Sequence, residues 1–109
     1  MSELPESQKR KLVALAKQIA AAKEEVEEAY ETTMMSDAKT AVYFLWEEIS
    51  NGKDIPEEVR LKLLPIIQAA RTYLLSSGTT ESRAGRCSDQ LLNLAISLRQ
   101  ILVAYGVTH

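Results

Sequence analysis

From Glu6 to Asn51 the chain runs without a glycine or a proline. In the first part of that stretch Leu12, Leu15, Ile19, Ala22, Val26, Ala29 and Thr33 recur at alternating spacings of three and four. This spacing tracks the 3.6-residue turn of an α-helix. On a strand every second residue shares a side, so the same residues would scatter over both faces. The phase then changes, and Ala38, Ala41, Val42, Leu45 and Ile49 form the next stripe. Between the two lies "TTMMSD", with β-branched threonines and Ser36, a residue suited to capping a helix start. A break near Met35 is expected; the alternative is one continuous helix with a stutter in its seam.

Turn residues divide the rest. Gly52, in "SNG", is expected to stop the second helix in the left-handed C′ conformation. Asp54 is expected to cap the third, with Glu57 completing a capping box and Pro56 in the first turn. Its stripe is Val59, Leu63, Ile66, Ile67, Ala70 and Leu74, and Pro65 inside it should kink the helix by clashing with the Leu61 carbonyl. Gly78 ends it. The last seam is Ala84, Cys87, Leu91, Leu94, Leu98, Ile101 and Tyr105, closed by Gly106. Thr79 or Thr80 begins that helix, or Ser88-Asp89 does if Gly85 breaks the preceding turn.

The expected fold is therefore all-α: an up-down-up-down four-helix bundle, one domain over 1–109, with helices at roughly 5–34, 37–50, 55–77 and 80–105. A chain of 109 residues, with 46% hydrophobic and 26% charged residues, has the size and composition of a single folded domain.

Charge suggests how the ends meet. The first helix carries Lys9, Arg10, Lys11 and Lys17 early and Glu24, Glu25, Glu27, Glu28 and Glu31 late. This order opposes the helix macrodipole, which favours acids first and bases last. Antiparallel pairing of the first and last helices would set Arg83 and Arg86 against the glutamates. It would also bring Lys9 to Lys11 near the terminal carboxylate of His109.

Chemistry-bearing groups are few. The one cysteine, Cys87, falls on a core seam, where a thiol behaves as a small hydrophobe. A nucleophilic role needs a histidine partner, and the one histidine is His109. Glu24, Glu27, Glu28 and Glu31 with Glu47 and Glu48 resemble the Mg²⁺-holding carboxylates of all-α nucleotide pyrophosphohydrolases. The aspartate closing that family's second motif is missing, and Asn51 stands nearby. A di-iron bundle needs Glu-x-x-His pairs, which do not occur. "SSGTTES" lacks the glycine spacing and lysine of a phosphate loop. No catalytic residue, cofactor or metal is expected, and the chain is expected not to be an enzyme.

"TAVYFLWEEIS" carries the main functional signal. With Leu45 in the core stripe, Tyr43, Phe44 and Trp46 fan to both sides, wider than one bundle helix buries. The last helix has a similar surplus in Leu92, Ala95, Ile96, Leu102 and Val103. A protein-binding surface at Tyr43, Phe44, Trp46 and Glu47 is expected, for a protein partner or a second copy in a homodimer. The alternative is nucleic-acid binding through Lys9, Arg10, Lys11 and Lys17. A net charge of −2 and acids interleaved throughout count against it. The start has no apolar signal-peptide core and no run is long enough to span a bilayer, so a cytoplasmic protein is expected.

Overall fold

The computed structural model describes residues 4–107. They form four α-helices: α1 Glu6–Thr32, α2 Ser36–Asn51, α3 Glu57–Leu75 and α4 Thr80–Ala104. Each helix packs on its neighbours in chain order, and α4 returns to α1; among the described residues no diagonal pair of helices brings its backbones close. This is an all-α, up-down-up-down four-helix bundle, elongated to 45 × 22 × 17 Å. Among the described residues no helix is long and apolar enough to cross a membrane.

The core is the set of 3–4 seams. Leu12, Leu15, Ile19, Ala22, Val26 and Ala29 of α1 are buried, as are Ala38, Val42, Leu45 and Ile49 of α2. Val59, Leu63, Ile67, Ala70 and Leu74 of α3 meet Ala84, Cys87, Leu91, Leu94, Leu98, Ile101 and Leu102 of α4. Among the described residues no polar residue is buried as a whole, although the Ser50 Oγ is shielded from solvent without a hydrogen-bond partner. Ile66 and Tyr105 are only partly buried against this core, and Thr33 is exposed. Ile55, in the α2–α3 loop, joins the core instead.

The first two helices are separate. Thr33 ends α1 at φ 62°, a left-handed turn that reverses the chain. Ser36 is the first residue of α2 rather than its cap, and no side chain caps that end. The α2–α3 turn also differs from expectation. Gly52 is extended (φ −64°, ψ 147°), and the left-handed residue is Asp54 at φ 64°. Glycine is required at 52 for space, because a Cβ would strike the Glu48 carbonyl. Asp54 therefore bends the loop and does not cap α3, which begins at Glu57 after Pro56. α3 continues through Pro65 to Leu75. Pro65 is exposed, so water can take up the Leu61 carbonyl that its ring displaces. Finally, Thr79 caps α4 by accepting from the Ser82 amide at 3.1 Å. Gly85 is helical, with the Tyr30 ring 3.8 Å from where its Cβ would stand.

Candidate functional site

In α2, at about 100° per residue, Leu45 points to the bundle axis while Phe44 and Trp46 lie to either side and Tyr43 faces outward. Exposure follows that geometry. Tyr43 is 42% and Phe44 58% exposed, whereas Trp46 is half-buried against the core. The rings form a connected group. Tyr43 stands edge-on to Phe44 at 5.7 Å and tilted to Trp46 at 5.9 Å.

Arg71 of α3 completes the group, a residue that sequence reasoning missed in this role. Its guanidinium lies 4.6 Å from the Trp46 ring centre and 5.5 Å from that of Tyr43. Stacking on ring faces uses the negative aromatic quadrupole and holds the rings in place. The hint in the sequence was an arginine directly following the core residue Ala70, hence on a flank. On that same flank of α3 the helical repeat places Leu64 and Leu75, the latter 55% exposed. The aromatic surface thus runs on from α2 towards α3. Beside it the Glu47 carboxylate, by hydrogen bond and then by charge, raises the Tyr43 phenol above its usual pKa, with Arg71 opposing.

The basic residues divide. Lys9, Arg10 and Lys17 line an open cleft of about 470 Å³ with Glu6, Val13 and the C-terminal turn at Gly106–Val107. Lys11 points elsewhere and pairs with Glu48 of α2.

Arg83 and Arg86 do not meet the glutamates of α1. Arg83 gives two hydrogen bonds to the Leu74 carbonyl, at 2.6 and 3.1 Å, and Arg86 lies over the Tyr73 ring. An unsatisfied carbonyl at the end of α3 was the nearer acceptor. The proposed contact of Lys9 to Lys11 with the terminal carboxylate of His109 lies outside the described residues. Glu27 instead pairs with Lys23 on its own helix at 3.0 Å. Among the described residues no three His, Cys, Asp or Glu side chains converge as a metal site would require. Burial pushes the Cys87 thiol up to about 12, which leaves it protonated and unreactive at neutral pH.

The second apolar surplus is on α4. Leu102 is buried and Ala95 packs against the core, but Leu92, Ile96 and Val103 are 48%, 47% and 69% exposed. Comparison with protein-family models, with curated proteins and with solved structures gives no match to this chain.

Proposed function

We propose that this protein is a non-enzymatic protein–protein interaction module that recognises a protein partner through the aromatic face of α2. The supporting observation is the composition of that face: Tyr43, Phe44 and Trp46 in mutual contact, with Arg71 stacked on two of the rings. Tyrosine, tryptophan and arginine dominate the energetics of protein interfaces, and rings already held in place lose little entropy on binding. A helix laid along the α2–α3 flank, with apolar anchors at helical spacing, is the mode such a face suits. Adaptor, regulator, inhibitor and small subunit are all roles for such a module, and homodimer formation belongs to the same reading.

The test is affinity capture from the native cell, followed by titration of the purified partner against wild type and Phe44→Asp. Phe44 is more than half exposed, so the variant should keep its helical circular dichroism while binding falls at least about tenfold, or 1.4 kcal/mol. Equal binding by the folded variant would remove the α2 face from the function.

The competing reading is nucleic-acid binding within a nucleoprotein complex, supported by the grouping of Lys9, Arg10 and Lys17 in one cleft. Glu6 in the same cleft and the loss of Lys11 to Glu48 weaken it. A salt-sensitive shift of labelled DNA or RNA, lost in Lys9→Glu/Lys17→Glu, would favour it over the first.

A further inference from the structure

The outward face of α4 carries a second heptad seam, opposite the one in the core. Gly85, Asp89, Leu92, Ile96, Arg99 and Val103 follow one another at alternating steps of four and three. Asp89, Leu92, Ile96, Arg99 and Val103 are all exposed. Such a strict seam is what one helix presents to another in a coiled-coil contact. The seam is also its own complement. Read in opposite directions from a midpoint at Leu94, Leu92 falls opposite Ile96, Asp89 opposite Arg99, and Gly85 opposite Val103.

We propose that α4 is a self-association surface, where a second copy of this chain packs its own α4 antiparallel across a two-fold axis at Leu94. The proposal rests on reading the chain as an interaction module, although it uses a different face from the α2 aromatics. A two-fold contact places each pair twice. The centre is then a layer of two leucines and two isoleucines, flanked by two Asp89–Arg99 ion pairs. Within one chain neither Asp89 nor Arg99 has an ion-pair or side-chain hydrogen-bond partner among the described residues. Gly85 offers room for the bulk of Val103, beside a Tyr30 ring that is itself 48% exposed. Asn93 falls beside the axis, opposite Asn93 of the second copy, where two amides can exchange hydrogen bonds.

A parallel arrangement would instead set Asp89 against Asp89 and Arg99 against Arg99, so charge selects the antiparallel one. The same axis accounts for the order of charges in α1. The glutamates are not met by Arg83 or Arg86, yet α1 packs beside α4. Two-fold symmetry carries the basic half, Lys9, Arg10 and Lys17, towards the acidic half of the other copy.

Sedimentation equilibrium of the full chain over a wide concentration range tests this. Wild type should dimerise, and Ile96→Glu should weaken the dimer about a hundredfold by burying a charge at its centre. Asp89→Arg and Arg99→Asp should each weaken it about tenfold, and combining the two should restore it. A wild type that stays monomeric into the high micromolar range would overturn the proposal. A dimer that survives Ile96→Glu but is lost in Phe44→Asp would do the same by assigning association to α2. Neither of these results alters capture of a foreign partner, so the α2 reading stands or falls separately.

Discussion

The guanidinium of Arg60, on α3, donates hydrogen bonds of 2.7 and 2.8 Å to the carbonyls of Ile49 and Gly52 at the end of α2. Arg83, on α4, does the same for the Leu74 carbonyl at the end of α3. No helix has a basic residue in its own last turn. For α2 and α3, therefore, the negative end of the macrodipole is met by a cation from the next helix in the chain. These contacts also fix the angle at which each helix leaves its turn, since one rigid fork bridges both elements.

Both arginines are partly buried at these contacts, so Arg60→Met and Arg83→Met should each lose roughly 1.5–3 kcal/mol, the range for hydrogen bonds to a charged group. Lysine should not rescue either position, because an ammonium lacks the planar fork that reaches two carbonyls from Arg60 and doubly donates to one carbonyl from Arg83. The double variant should be additive, since the two contacts share no partner. Urea melts of the four single variants and the Met/Met double check this.

The seams were legible because helix geometry alone dictates a 3–4 alternation, and almost every residue on them is buried. The helix ends were less so. Ser36, Gly52 and Asp54 carry the right chemistry for caps and stops, but the direction of the next helix decided which of them turned the chain. The charges were least legible. Arg83 and Arg86 looked like partners for glutamates, yet the competitors were a neutral carbonyl and an aromatic ring, and sequence spacing shows neither. The same limit hid Arg71: its contact with Trp46 crosses between helices. The aromatic surplus itself was visible, because four large side chains in a row exceed what one face can bury.

Two backbone positions hold residues that do not suit them. Thr33 is β-branched and sits at φ 62°, where glycine is the usual occupant. Thr33→Gly should stabilise the fold by about 0.5–1 kcal/mol, the relief of left-handed strain exceeding the added chain entropy. Pro65→Ala should stabilise by about 1–2 kcal/mol, part of the ~3 kcal/mol cost of an interior proline, because that position is already solvent-exposed helix. Differential scanning calorimetry would register both as a higher Tm. A lower Tm for Pro65→Ala would mean that the bundle needs the helix shape proline imposes.

Gly52 provides the opposite case. Its φ is ordinary, but a Cβ there would collide with the Glu48 carbonyl on the backbone and with the Glu48 side chain. Gly52→Ala should cost about 1–3 kcal/mol through overpacking. Gly106→Ala, where φ is 71° but nothing lies near the Cβ position, should cost only about 1 kcal/mol. If the two variants melt together in denaturant, crowding at Gly52 is relieved by movement of the loop.

Alkaline pH should destabilise the bundle through three groups whose protonated forms the fold favours. Burial raises Cys87 from 9.0 to about 12. Tyr43 and Tyr105 are raised from 10.0 mainly by hydrogen bonds to Glu47 and Glu58. For an acid whose folded pKa lies above its unfolded value, the stabilisation is complete below the unfolded pKa and disappears as pH rises through the folded one. The Cys87 share should start to fall near pH 9 and continue to about 12, and the tyrosine shares should start near pH 10. Cys87 can contribute at most about 1.4 kcal/mol per pH unit to that slope. Cys87→Ala should remove the onset between pH 9 and 10 while leaving the later decline, and Tyr105→Phe should reduce the later decline alone. A thiol reagent supplies the independent check: at pH 8 the native protein should react only as fast as it unfolds, and rapid labelling would show that Cys87 is open to solvent.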